Sequence, residues 1–181
     1  AFARMNLDHL TSWYSDWKGL RVAVLGLSAT GFSVADTLAE LGSDVHVFTE
    51  SASSEYARLL PVIGVELIEK SLQEIPDELV EFAPEVVIAS PGFAPHHPVI
   101  QWVQEQGIAL WGDIELAWRV RDKVVRADGT PAEWILITGT NGKTTTTRLT
   151  ASMLVSGGLK AAPCGNIGVP ILDAVRDPEG F

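Results

Sequence analysis

Apolar residues along the chain fall into short runs separated by stretches of helical spacing. Val22-Ala23-Val24-Leu25 is apolar at every position, the pattern of a strand buried on both faces. Val34, Leu38 and Leu41 then recur at i, i+4 and i+7, which places them on one face of a helix. Val45-His46-Val47-Phe48, Val65-Glu66-Leu67-Ile68, Val86-Val87-Ile88-Ala89 and Ile108-Ala109-Leu110 read as four further strands. Helices are expected over Ser54 to Leu60, ended by Pro61, and over Ile100 to Gln106. Strands alternating with helices imply βαβ units, a parallel sheet and right-handed crossovers.

The pattern changes after a helix expected from about Ile114 to Arg121, for which Asp113 is the natural cap. Residues 121–133 are charged and contain Asp128-Gly129 and Pro131, both turn signals, so a hairpin or linker is expected there. A second α/β unit then opens with a strand at Trp134-Ile135-Leu136-Ile137. A helix from Lys143 to about Ser156 follows, with Leu149 and Met153 on its inner face, and Gly157-Gly158 ends it. A short strand near Ala161 and a helix from about Pro170 to Arg176 complete the reading. The expected organisation is a Rossmann-like α/β domain over residues 1–120, a linker over 121–133, and the start of an α/β ATP-binding domain over 134–181. The last part is too short for a nucleotide-binding domain with its own sheet, so the chain is expected to stop inside a domain.

Charge narrows the partners. Asp and Glu outnumber Lys and Arg by 23 to 13, for a formal charge of −10. That field repels nucleic-acid backbones and anionic membranes. An anionic nucleotide must therefore be held by local donors, which backbone N–H groups at helix starts supply. Cys164 is the one cysteine, so no disulfide can form within the chain. No apolar run is long enough to cross a bilayer, and the start lacks a signal-peptide pattern. These features together lead us to expect a cytoplasmic protein.

Four motifs carry candidate chemistry. Gly139-Thr140-Asn141-Gly142-Lys143-Thr144 stands between an apolar run and a helical stretch, the context a phosphate-binding loop requires. The glycines let the backbone approach phosphates, Lys143 can reach the β- and γ-phosphates of ATP, and the Thr144 hydroxyl can ligate Mg²⁺. The spacing is shorter than G-x-x-x-x-G-K-[ST], with Ile137 where the first glycine would stand. Gly26-Leu27-Ser28-Ala29-Thr30-Gly31 resembles a dinucleotide fingerprint, but Ser28 replaces the middle glycine, which argues against NAD or FAD. The alternatives there are a site for another nucleotide or a ligand-free tight turn. Ser90-Pro91-Gly92 follows the fourth apolar run, where open α/β sheets bind ligands, and is also compatible with a plain turn. Asn166, in Cys164-Gly165-Asn166-Ile167-Gly168-Val169-Pro170, is a loop side-chain donor or part of a turn.

In this order the four motifs, with Gly112-Asp113-Ile114-Glu115-Leu116, resemble the Mur ligases, which build the peptide stem of bacterial cell-wall precursors. The resemblance is strongest to the members that add D-glutamate to UDP-N-acetylmuramoyl-L-alanine. It implies ATP-binding by Gly139, Thr140, Asn141, Gly142, Lys143, Thr144 and Thr145. It implies UDP-substrate contacts at Ala29, Thr30, Thr49, Glu50, Ser90, Pro91, Gly92 and Asn166. Thr49-Glu50 stands where these ligases usually carry Asp-Thr. The implied chemistry is ATP-dependent activation of the substrate carboxylate to an acyl phosphate, then amide formation with D-glutamate by a cytoplasmic monomer. Lys143 and Thr144 take the catalytic roles available here. The family's remaining catalytic groups lie further downstream, so this stretch alone is expected not to complete the reaction. The rival readings are a nicotinamide-dependent oxidoreductase, another Mur-type or folylpolyglutamate-type ATP-dependent amide ligase, such as one acting on alanine addition or on folate, and an inert nucleotide-binding fragment.

Other residues take structural readings. His96-His97 lies in a Pro-rich loop without further ligands at metal spacing, and reads as a solvated pair. Trp13 and Trp17, at i and i+4, read as pinning an N-terminal helix to the first domain. Asp113 and Glu115 could pair as catalytic carboxylates, and a helix cap with a surface charge explains them as well. Cys164, beside a glycine, reads as a small buried side chain, with mild thiol reactivity as the alternative.

Overall fold

Five parallel strands form one sheet: β1 (Arg21–Leu25), β2 (Asp44–Thr49), β3 (Glu66–Glu69), β4 (Val86–Ala89) and β5 (Ala109–Trp111). The computed structural model describes residues 6–52 and 55–181. The order across the sheet is β3-β2-β1-β4-β5, with β1 hydrogen-bonded to β2 on one side and β4 on the other. The expected α/β class with a Rossmann-like first unit is therefore what the chain forms. Connecting helices are α1 (Ala29–Glu40), α2 (Glu55–Leu59), α3 (Asp77–Phe82), α4 (Pro98–Glu105) and α5 (Asp113–Arg119). The helix expected over Ser54 to Leu60 forms as α2, but Pro61 does not end the helical course: Leu60–Ile63 continues as a 3-10 turn with Pro61 in its first positions, which need no N–H donor, while Ser54 itself lies outside the described residues.

The sheet is covered on both faces, as its continuous apolar runs require. Val22 and Val24 join a cluster with Val34 and Leu38 of α1 and Leu116 of α5. Ala23 and Leu25 point the other way, to Leu79 of α3 and to Val99, Ile100 and Val103 of α4. At about 25 cal/mol per Å², this two-sided apolar burial is the main stabilising term.

Residues 6–20, before β1, form no helix. Leu7, Leu10 and Trp17 nevertheless pack into the first cluster. The Trp17 indole donates to Ser12 O at 2.9 Å, and its ring meets Trp111 edge-on. Arg119 donates to Leu7 O and Leu10 O, and Asp122 accepts from Trp13 N and Ser12 Oγ. Local serine hydrogen bonds compete with a helical backbone here, which is why the i, i+4 spacing of Trp13 and Trp17 misleads.

The part after α5 departs most from expectation. Residues 121–133 turn through an isolated antiparallel bridge between Val125 and Pro131. Trp134-Ile135-Leu136-Ile137 forms no strand, and Ile135 and Leu136 are exposed. Nor does a strand form near Ala161; the region holds one isolated bridge, Cys164 to Val169. An apolar run becomes a strand only when a neighbour completes its ladder, and among the described residues none does. Two helices follow, α6 (Lys143–Ser156) and α7 (Ile171–Arg176). Leu149 and Met153 do not face inward: they are 58% and 66% exposed, and no residue of α6 is buried. By contrast, Ile171 and Leu172 of α7 pack into the core of the first unit.

Candidate functional site

The strand order reverses between β1 and β4, and a crevice in an open α/β sheet opens at the carboxyl ends of such strands. Gly26 leaves β1 there at φ +93°, a conformation glycine adopts without strain, and its N–H donates to Phe48 O at 2.8 Å. A Cβ on Gly26 would stand 2.9 Å from Ser90 Oγ, and one on Gly31 would stand 2.3 Å from Gly26 O. The two glycines thus let α1 start close against the strand tips. Ser28, which breaks the dinucleotide fingerprint, is the N-cap of α1: its Oγ accepts from Gly31 N at 3.4 Å. The first-turn N–H groups at Ala29 and Thr30 have no intrahelical acceptor and carry the positive end of the helix dipole.

Ser90 comes to the same place from the end of β4. Its N–H donates to Leu25 O at 3.1 Å, which ties the loop to β1. Its hydroxyl is shielded from solvent and has no protein hydrogen-bond partner. Leaving such a group unpaired costs about 1–3 kcal/mol, which singles out the Ser90 hydroxyl beside Gly26 as a candidate contact. Pro91 and Gly92 follow, exposed, in a turn closed by Phe93 N to Ser90 O.

Thr49 and Glu50 end β2 on the other side of β1. Thr49 is buried and exchanges hydrogen bonds with Ser51. Glu50 Oε1 accepts from Leu72 N at 3.2 Å, so this carboxylate steadies the loop after β3. Ala29, Thr30, Thr49, Glu50, Ser90, Pro91 and Gly92 therefore all lie along one edge of the sheet.

The second group stands apart. Residues 139–146 run through exposed backbone into α6. Gly142 caps that helix at φ 75°, and Thr146 N closes back on Gly142 O at 2.9 Å. The Lys143 ammonium curls over the loop and donates to Gly139 O and Thr140 O. The donor set of main-chain N–H groups, one ammonium and the Thr144 and Thr145 hydroxyls suits a triphosphate with its Mg²⁺. Asn166 is exposed on the loop between Cys164 and Val169, which is closed by Gly165 N to Val169 O at 3.1 Å. No hydrogen bond joins Asn166 to Ser90 or to the Gly26 turn among the described residues.

The remaining candidates are structural. Gly112, not Asp113, is the N-cap of α5; Asp113 is the first helical residue and its side chain makes no capping bond. Glu115 pairs with Arg119. Of the expected solvated pair, His96 is exposed, whereas His97 is a half-buried cap that accepts at Nδ1 from Val99 N at the start of α4 and meets Phe93 edge-on. Burial raises the pKa of the Cys164 thiol. No group of three or more metal-ligating side chains is found among the described residues, and no helix there is long and apolar enough to cross a membrane.

Comparison with known proteins gives a consistent picture. The family model for the Mur ligase MurD-like N-terminal domain matches residues 20–112. A UDP-N-acetylmuramoylalanine--D-glutamate ligase of Leifsonia xyli is 58% identical over 178 residues, 97% of this chain and 34% of that protein. One from Tropheryma whipplei is 50% identical over 175 residues, 97% of this chain and 35% of that protein. Among solved structures, a murein peptide ligase from Psychrobacter arcticus superposes with a TM-score of 0.51 at 24% identity, over 77% of this chain and 27% of that one, which speaks to fold alone. The chain thus spans about a third of the length of the curated relatives it matches.

Proposed function

Because the chain belongs to the Mur ligase MurD-like N-terminal domain family, we propose that it is the substrate-binding portion of an ATP-dependent ligase that adds D-glutamate to UDP-N-acetylmuramoyl-L-alanine. The reading rests above all on the dry, unpartnered Ser90 hydroxyl beside Gly26, next to the open N-terminus of α1. Residues 1–120 take the UDP part, 121–133 link, and 134–181 begin the ATP-binding domain. Ala29 and Thr30 offer first-turn N–H groups to the nucleotide, with Thr49 and Glu50 alongside. Ser90, Pro91 and Gly92 contact the diphosphate and muramoyl part, and Asn166 reaches the same ligand from the second part.

Gly139, Thr140, Asn141, Gly142 and Thr145 line the ATP phosphates. ATP with Mg²⁺ supplies the phosphoryl group that activates the substrate carboxylate. Lys143 releases the loop carbonyls and turns its charge to the terminal phosphates, and the Thr144 hydroxyl holds Mg²⁺. The reading makes the protein a cytoplasmic monomer, consistent with its single cysteine, and gives it no nucleic-acid partner, consistent with its charge of −10.

The test is thermal unfolding with candidate ligands. UDP-N-acetylmuramoyl-L-alanine at a hundredfold its Kd should stabilise by about 2.7 kcal/mol, and NAD at the same concentration should do nothing. Stabilisation by NAD and not by the UDP compound would overturn the reading in favour of a dinucleotide site.

A further inference from the structure

Helix α1 carries Ser33, Asp36, Thr37 and Glu40 at i, i+3, i+4 and i+7, a polar stripe along one face. Ser33 and Thr37 are buried, so the stripe is an interface rather than a solvated surface. It faces α7. Ser33 Oγ donates to Asp173 Oδ1 at 2.5 Å. Arg176 places Nη2 2.8 Å from Asp36 Oδ2 and 2.9 Å from Glu40 Oε2, and donates from Nη1 to Thr37 Oγ1 at 3.1 Å. Three groups on α1 thus engage one planar guanidinium, whose rigid fork suits such multiple contacts. The other Glu40 oxygen accepts from Lys123, whose ammonium lies 4.1 Å from the centre of the Trp13 ring. Glu40 therefore joins α7, the segment after α5 and the N-terminal segment at one carboxylate.

A groove of about 450 Å³ lies beside this network, lined by Asp36, Lys123, Asp173, Arg176, Asp177 and Pro178. Every charged side chain in that lining already has a partner within the protein, Asp177 through Glu179 N. The network is a fastening.

What it fastens is decided by the far ends of the two helices. At its start α1 carries Ala29 and Thr30 at the sheet edge, and α7 directly follows the loop that carries Asn166. We propose that Asp36, Glu40 and Arg176 are positioning residues that hold the Asn166 loop in fixed register with the nucleotide edge, so that one ligand is gripped at both places. This rests on the UDP-substrate reading above. Two contacts on a rigid frame act at high effective concentration, and freeing one makes its binding an independent, weaker event.

The experiment compares UDP with UDP-N-acetylmuramoyl-L-alanine by calorimetry, in the unaltered chain and in Arg176→Met, and follows amide hydrogen exchange over residues 171–176. The expected result is faster exchange in α7, unchanged UDP affinity, and loss of the longer ligand's advantage over UDP by on the order of tenfold or more. Arg176→Lys, which keeps the charge without the fork, should recover part of that advantage. Glu40→Gln, at a half-exposed position, makes the same comparison if Arg176→Met does not fold. Binding of both ligands with an unaltered ratio overturns the positioning role alone, as does unaltered exchange in α7. Failure of the unaltered chain to bind either ligand overturns the nucleotide reading and the positioning role with it.

Discussion

Helices α1 and α6 begin alike and end up in different circumstances. Each follows an apolar run and a glycine of left-handed φ, Gly26 at +93° and Gly142 at +75°. Yet six of the twelve residues of α1 are buried, and none of the fourteen of α6 is. Turn chemistry is local and forms in both places. Burial is not local: α1 lies on a sheet whose central strand has two neighbours, whereas the run before α6 has no strand partner among the described residues. Residues 144–147 of α6 are all threonine, each about 0.5–0.7 kcal/mol poorer than alanine in a helix, so local preference does not compensate. The proposed phosphate loop therefore sits on a helix with no buried residue, and the proposed UDP edge on one that is half buried.

This contrast breaks if core and α6 substitutions cost the same. Leu38→Ala should lower unfolding stability by about 2–5 kcal/mol, and Leu149→Ala should stay within about 0.5 kcal/mol, both read from urea midpoints at unchanged slope. An equal loss at Leu149 would mean that α6 is packed after all.

The glycines give the next largest separation. Gly31→Ala drives a methyl to 2.3 Å from Gly26 O, so α1 must shift from the strand tips, at about 1–3 kcal/mol and with loss of binding by the UDP compound. Gly142→Ala meets open space and only backbone strain, so it should loosen α6 without moving the global transition. Ser28→Ala should then cost about 1 kcal/mol as a lost cap, with the fold otherwise intact by circular dichroism. A neutral result there would return Ser28 to the status of a substituted fingerprint glycine.

Much of this division was legible in the sequence. The run Val86–Ala89 is β4 to the residue, and the other four strands lie within one or two residues of their runs; the central strands β1 and β4, buried on both faces, are written as unbroken apolar segments, while β2 and β3 admit His46 and Glu66. Helix α3 was not legible: it is six residues long and begins after Pro76, and so is too short for periodicity to reveal. Trp134 to Ile137 has the composition of a strand, but composition cannot supply a ladder partner. At the site, Gly26 and Gly142 were legible because positive φ selects glycine. The cap made by Ser28 was hidden behind the expectation of a glycine. The dryness of Ser90 depends on its closeness to Gly26, and the Ser33–Asp173 contact joins residues 140 positions apart. In the latter case the i, i+3, i+4, i+7 polar stripe on α1 was the available signal.

The smallest expected effect concerns pH. Burial alone would raise the Glu40 pKa, but the hydrogen bond from Lys123 and the nearby Arg176 outweigh it and lower the value. A carboxylate with a depressed folded pKa stabilises fully above its unfolded value, about 4.3, and loses that contribution as pH falls through the lower folded value. Melting followed from pH 7 to pH 3 should therefore decline less steeply in Glu40→Gln than in the unaltered chain. Identical slopes would detach Glu40 from the fastening of α7.

The central claim is that the carboxyl edge of β1, β2 and β4 receives the UDP compound, and amide NMR reads it directly. With the ¹⁵N-labelled chain titrated to saturation by UDP-N-acetylmuramoyl-L-alanine, the amides of residues 26–31, Thr49, Glu50, Ser90 and Gly92 should shift while those in the later turns of α6 stay in place. Shifts confined to other parts of the chain, or none at saturation, would contradict it.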